Sequence, residues 1–406
     1  MSIDALFCVG IDPWGEPKGG QARFAKQILH AFGDRLAVAG VTNQNLPLRR
    51  WFDRPFEGKV IKFFNMGKIQ QKDSIKPIIP LRLVVYYYAK ISMPMIHSTC
   101  VKNIFIESPE VLFAAANYKW NSVCYSFAGV SNPVANSRYK WARLFGAFFE
   151  KKMFLDLKKI NVDSMLASAD YKAIDEMVAR SKGLLNRSLI HHFPTRVDGD
   201  LFQPFSKKQK RKELNLENNK IIIVSCGRLN WIKGWDLMLD SMVFLQKGGR
   251  DFQVIFVGDG EDRSKLFQKA KDLKIEKSIF VTGFIPNSEV QSYLNAADLC
   301  VVTSHKEGWS LAMLEMLACG KAIVSTDVSG ANAMIRSGHN GFVIKERNPA
   351  LFADAITKAL ELKNARDVSL EIAARYSTKT LASDLGLLWQ PLSNKYKDNN
   401  YERLAQ

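Results

Sequence analysis

The chain has 406 residues, of which 47% are apolar and 11% aromatic, too many for one ordinary core and enough for two. With 24% charged residues it is neither a disordered polymer nor an integral membrane bundle. The formal charge of +17 is uneven, with 28 Lys and Arg against 17 Asp and Glu through Phe205 and 29 against 23 beyond it, which favours an anionic partner.

The first residues carry neither a basic stretch nor a long apolar run, so no signal peptide is expected. Residues 5–11 read as a buried strand, followed by a polar Pro/Gly loop that ends in Gly19-Gly20. An amphipathic helix over residues 21–32 and a second apolar strand over 36–42 come next. Residues 78–96 are the most membrane-like stretch, but Arg82, Lys90 and two prolines interrupt it, so it is not expected to span a bilayer. Residues 103–107 and 122–127 read as further strands around a helical stretch at 110–117. Continuous apolar strands alternating with helices imply a parallel sheet covered on both faces.

The segment 140–159 sets Trp141, Leu144, Phe145 and Phe148 among Lys140, Arg143, Lys151 and Lys158. The favoured reading is a core-facing helix with a basic polar face; the other is a face resting on an anionic membrane surface. His191-His192 ends a strand without an acidic or cysteine partner at ligand spacing, so a structural role is favoured. A polar, basic stretch at 203–219, which includes the run 207–212, is expected to link two domains as a solvated segment or helix face.

The second half repeats the grammar, with strands at 220–226, 252–257, 278–282, 299–303 and 322–326, each followed by a turn and a helix-length segment. The fold class expected is therefore α/β, with two Rossmann-like doubly wound domains facing across a cleft. The boundaries expected are 1–203 and 204–379, with residues 380–406 packing back on the first domain. Six scattered cysteines with no CxxC pair suggest neither a zinc site nor disulfides, and fit a reducing compartment. A cytoplasmic protein, at most peripheral on the membrane, is expected.

Chemistry is concentrated in the second half. In Glu307-Gly308-Trp309-Ser310-Leu311, Ser310 is suited to cap a helix whose free amides would favour a phosphate. Glu307 sits just before that end, and Glu315 lies about 7–8 Å farther along the helix. Each carboxylate can accept two hydroxyl hydrogen bonds, as a diol requires. Gly227-Arg228 follows directly on a strand and leads to Lys233-Gly234, placing two fixed cations where a departing diphosphate could be neutralised without a metal.

Together these elements resemble the donor-binding half of the GT-B glycosyltransferases of the family 4 type. Val257-Gly258-Asp259-Gly260, Gly283-Phe284, Ala296-Ala297-Asp298 and the Gly338 to Gly341 turn occur in the family's order. The resemblance is dense over 197–344 and sparse in the first half, where Gly19-Gly20 looks like the glycine loop that approaches the donor phosphates. It implies that Arg228 and Lys233 bind the diphosphate, Glu315 the ribose and Glu307 the transferred sugar. It further implies that backbone near Phe284 meets the base, and that Trp309, Ser310 and Leu311, with Gly20 and the Gly227 loop, cradle the phosphates. The implied activity is a retaining, metal-independent transfer of a hexose from a nucleotide sugar to a glycan acceptor, lipid-linked as in lipopolysaccharide, with no cofactor.

Three positions depart from the family pattern. Ala128-Gly129 stands where His-Gly is frequent, Ser310 where Gly is usual, and no acidic residue follows Gly330. A nucleotide-sugar epimerase or hydrolase, or a catalytically impaired sugar-nucleotide-binding homologue, stays open as an alternative. Asp198-Gly199-Asp200 mimics a metal-binding motif but sits in the interdomain segment, and Gly258-Asp259-Gly260 lacks the third glycine of a dinucleotide fingerprint. No zinc spacing, helix-turn-helix or aromatic-interleaved strand points to nucleic acid.

Overall fold

A computed structural model describes residues 3–15, 20–69, 79–127, 129–132, 134 and 139–393. The chain divides into two compact units, Met1–Thr195 with Thr380–Gln406, and Arg196–Lys379.

The sheet of the first unit contains β1 (Ala5–Cys8), β2 (Leu36–Thr42), β3 (Trp51–Phe56), β4 (Lys59–Lys68), β5 (Asn103–Ile106), β6 (Ser122–Phe127), β7 (Ser164–Ala167) and β8 (Ile190–His192). Its order is β3-β4-β2-β1-β5-β6-β7-β8. Helices α1 (Gly20–Phe32), α2 (Leu81–His97), α3 (Pro109–Ala115), α4 (Lys140–Leu144), α5 (Gly146–Lys159) and α6 (Tyr171–Arg180) complete it. Every residue of β1 and β2 is buried, because helices cover both faces and apolar side chains are needed on both. The all-parallel expectation fails at one edge, where β3 runs antiparallel to β4. The two strands are joined by Glu57 and Gly58, both at positive φ (48° and 79°), the primed-turn geometry that matches the twist of a hairpin. Pro55 is tolerated because β3 is an edge strand.

The second unit contains α7 (Lys207–Glu213), β9 (Ile221–Cys226), α8 (Trp235–Lys247), β10 (Phe252–Val257), α9 (Arg263–Asp272), β11 (Ile279–Val281), α10 (Asn287–Ala296) and β12 (Leu299–Val302). It continues with α11 (Leu311–Ala318), β13 (Ile323–Thr326), α12 (Ala331–Met334), β14 (Gly341–Ile344), α13 (Pro349–Ala359) and α14 (Ala365–Arg375). The strand order β11-β10-β9-β12-β13-β14 is wholly parallel. Because β9 pairs with β10 on one side and β12 on the other, successive connections leave in opposite directions there. The crevice beyond β9 and β12 is thus the switch point at which open α/β sheets bind ligands.

The division between units falls after Thr195, not within the basic stretch at 203–219. That stretch belongs wholly to the second unit, since Arg211 is buried and donates to Asp298 (2.5 Å) and to the Ala296 carbonyl (2.9 Å). Segment 140–159 forms two helices that meet at Phe145, in place of one. At the other end of the chain, α15 (Thr378–Leu388) leads to Trp389, which is buried in the first unit, 5.9 Å from the Phe105 ring. Its indole N–H donates to Ser122 Oγ at 2.8 Å.

Candidate functional site

The loop after β9 is held by backbone approaches that only glycine permits. Gly258 has φ 141°, and a Cβ there would lie 2.1 Å from the Gly227 carbonyl oxygen. Gly234 has φ 62°, and a Cβ there would lie 2.0 Å from the carbonyl oxygen of Thr303, at the end of β12. Asn230 caps the short turn Trp231–Lys233 through its side chain, and Thr303 Oγ1 donates to the Lys233 carbonyl at 3.0 Å. His305 N–H donates to the Ile232 carbonyl at 2.7 Å. The loops beyond β9 and β12 are therefore laced together by backbone before any side chain is considered.

Onto this frame Lys233 Nζ donates to Glu307 Oε1 at 2.6 Å, and Ser304 Oγ donates to the same oxygen at 2.6 Å. A cation from the β9 loop and a carboxylate from the β12 loop, 74 residues apart, thus meet at the switch point. Three residues beyond Glu307, Ser310 caps α11 by accepting from Met313 N–H, and the helix directs its first-turn amides out of this end. Glu315 lies in the second turn of α11 and is buried. Burial pushes the Cys226 thiol well up, with smaller contributions from Cys300 and from the Glu315 charge, so Glu315 sits within electrostatic reach of the end of β9.

The remaining expected residues are distributed as follows. Gly227 adjoins Lys233, and a Cβ on it would lie 3.3 Å from Lys233 Cε. Arg228 pairs elsewhere: its side chain is 61% exposed, and Nε donates to Glu261 Oε2 at 3.1 Å. Phe284, just past β11, is 89% exposed. The Trp309 ring packs on Tyr376 at 5.2 Å, and Leu311 opens α11. Gly20 opens α1 in the first unit and has open space where a Cβ would stand. Gly19 and Ala128 lie outside the described residues.

Ser304 and Glu261 were not anticipated. No spacing rule marks a serine two residues past a strand, and Glu261 is found only because the loops after β9 and β10 adjoin. In the interdomain motif, Asp198 accepts from the amides of Asp200 and Leu201, while Asp200 pairs with Lys379 at 2.8 Å. Among the described residues no cluster of three His, Cys, Asp or Glu could hold a metal ion.

Two doubly wound α/β units in one chain are the architecture of the GT-B class of fold, which the superposed solved structures bear out. Residues 206–375 match the model of the family described as glycosyl transferases group 1. D-inositol 3-phosphate glycosyltransferase 1 of Catenulispora acidiphila is 29% identical over 208 residues, which cover 49% of each chain. The chain spans about half the length of the curated relatives it matches. Among solved structures, sucrose-phosphate synthase from Thermosynechococcus elongatus superposes with a TM-score of 0.75 at 16% identity, over 95% of this chain and 98% of that one. HepE of Anabaena, solved in complex with UDP and glucose, superposes with a TM-score of 0.68 at 18% identity, over 97% of this chain and 100% of that one. These last two likenesses concern the fold.

Proposed function

We propose that the protein is a retaining glycosyltransferase that moves a hexose from a nucleoside diphosphate sugar to a hydroxyl of a lipid-linked glycan. The observation that carries this reading is the contact of Lys233 with Glu307 at the mouth of α11, beyond β9 and β12. Lys233 and the α11 N-terminus supply positive charge for a diphosphate, and Glu307, held by Ser304, supplies an acceptor of sugar hydroxyl bonds. Glu315 takes the ribose hydroxyls, and Phe284 marks the place of the base. Arg228, exposed on its loop, swings to the outer phosphate oxygens.

In the reaction the bond between the anomeric carbon and the diphosphate oxygen breaks, and the acceptor oxygen bonds to that carbon from the same face. The departing oxygen takes the acceptor's proton, and Lys233 and Arg228 stabilise the negative charge that grows on the diphosphate. The first half of the chain, with its excess of Lys and Arg, supports an anionic, lipid-carried acceptor. A screen of nucleoside diphosphate sugars, scoring nucleotide release with and without lipid-linked acceptors, tests the reading. Acceptor-dependent release supports transfer; equal release in both arms favours a hydrolase.

Arg228→Ala should lower turnover more than about tenfold, because a charge-assisted contact to a phosphate contributes about 1.5–3 kcal/mol. Glu261→Gln should keep or raise activity, since it only loosens the ion pair that draws Arg228 aside. Steady-state kinetics on both variants checks this, and a Glu261→Gln loss as deep as that of Arg228→Ala would count against the assignment.

Activity should also survive EDTA, because Lys233, Arg228 and the helix terminus provide the charge that a metal would bring. Loss of transfer on chelation with recovery on adding manganese would reverse that reading.

A further inference from the structure

Two basic, apolar segments far apart in sequence converge on one layer of the first unit. Arg82 of α2 lies over the Phe149 ring of α5 at 5.8 Å, and Phe113 of α3 lies 6.3 Å from Tyr86 and 5.1 Å from Phe149. Helices α2, α3 and α5 are thus neighbours, with α4 leading into α5.

The inward residues of these helices, among them Val85, Ala89 and Met93 of α2 and Met153, Phe154 and Leu157 of α5, join one core. The outward residues are not only the polar ones that a solvated helix face calls for. Along α4 and α5, Leu144 and Phe148 are 84% and 69% exposed, and Trp141, Phe145 and Leu155 are exposed as well. Along α2, Leu83 and Tyr87 are exposed. Single exposed apolar side chains are ordinary, but ridges of them on neighbouring helices mark a surface that meets something apolar.

The exposed charge on α2, α4 and α5 has one sign, and Glu110 of the intervening α3 is buried and paired with Arg82 at 3.3 Å. Neither α2 nor α4 contains an Asp or Glu. The two acids of α5 are buried and paired, Glu150 with Arg180 at 3.1 Å and Asp156 with Lys152 at 2.7 Å. Lys90, Arg143, Lys151 and Lys158 are exposed beside the apolar residues. Among the described residues no helix is long and apolar enough to cross a membrane.

We propose that the outer face of α2, α4 and α5 docks in the plane of an acidic lipid bilayer, with its aromatic and leucine side chains at headgroup depth and its lysines on anionic headgroups. An apolar partner protein would need no uniform positive border, whereas an acidic bilayer is complementary to both features. Docking would present a lipid-linked acceptor to the first unit, and in that respect it deepens the proposed reaction. It is read by binding and not by turnover, so either reading can fail alone.

Co-sedimentation of the full chain with phosphatidylcholine vesicles, with and without phosphatidylglycerol, tests the proposal. The protein should pellet with acidic vesicles at low salt. It should be released as added salt shortens the Debye length from about 10 Å to about 3 Å. Leu144→Ser with Phe148→Ser, and separately Lys90→Gln with Lys151→Gln and Lys158→Gln, should each weaken binding by about tenfold or more. Because every substituted side chain is exposed, thermal melting and nucleotide binding should be unchanged in both. Brominated lipid should quench a part of the tryptophan emission that is missing in Trp141→Phe. The proposal is overturned if the protein stays in the supernatant with acidic vesicles at low salt, or if both variants bind like the parent. It is equally overturned if the protein dimerises without lipid and the same substitutions dissolve the dimer, since a second copy then covers the face.

Discussion

Lys233→Ala should lower the turnover number at saturating donor by about a hundredfold or more, with a melting temperature close to that of the parent protein. Lys233 reaches Glu307 at 2.6 Å from a turn whose backbone is fixed by Asn230, Gly234 and Thr303. Its ammonium group is therefore preorganised beside the α11 terminus, where in the proposed reaction negative charge grows as the diphosphate departs. A group aimed at developing charge acts mainly on the transition state, so the loss should fall on kcat more than on the donor KM. The fold should persist because the side chain is partly exposed and Glu307 keeps its bond from Ser304. Near-normal turnover in this variant would remove the diphosphate assignment.

The two glutamates should divide the kinetic constants between them. Glu315 is buried in the second turn of α11, and the ribose contacts proposed for it would persist unchanged through the reaction. Glu315→Ala should raise the donor KM by about 10- to 100-fold, as expected for losing a charge-assisted hydrogen bond, with little change in kcat. Glu315→Gln, which keeps the volume, separates this from a packing defect and should still raise KM. In the proposed reaction Glu307 meets the sugar, whose charge and shape change at the transition state, so Glu307→Ala should lower kcat by about a hundredfold with the donor KM nearly unaltered. Steady-state kinetics with the donor varied distinguishes the two, and parallel changes in both constants for both variants would contradict the division.

The two parallel sheets were legible because strands buried on both faces must be apolar throughout. Residues 36–42, 122–127 and 252–257 read as β2, β6 and β10 without a shift. The hairpin of β3 and β4 was not, because its one-sided strands carry Asp53, Arg54 and Pro55 and its turn is Glu57-Gly58, a weaker sign than Asn-Gly. The boundary was misplaced because a run of lysines looks solvated unless its partner is known. Asp298, which neutralises Arg211 and Lys207, lies far along the chain at the entry to β12.

At the site, Ser310 was read as a helix cap and does cap α11, while Glu307 and Lys233 were singled out by their loops together with the family resemblance. What the sequence could not supply was their meeting, which depends on β9 and β12 lying side by side although two other strands separate them in the chain. Nor could it reveal that Arg228 is drawn to Glu261, or that α2 lies next to α5 across α3. Each of these is a consequence of strand order and helix packing, which local periodicity does not encode.

Isothermal titration of the full chain with UDP, GDP and ADP, repeated on Lys233→Ala, tests the central claim most directly. One of the three should bind the parent protein at a single site, and the substitution should weaken that binding by about tenfold or more. Binding of none of them, or binding with the same affinity in the variant, would contradict a diphosphate seat at Lys233 and with it the proposed transfer.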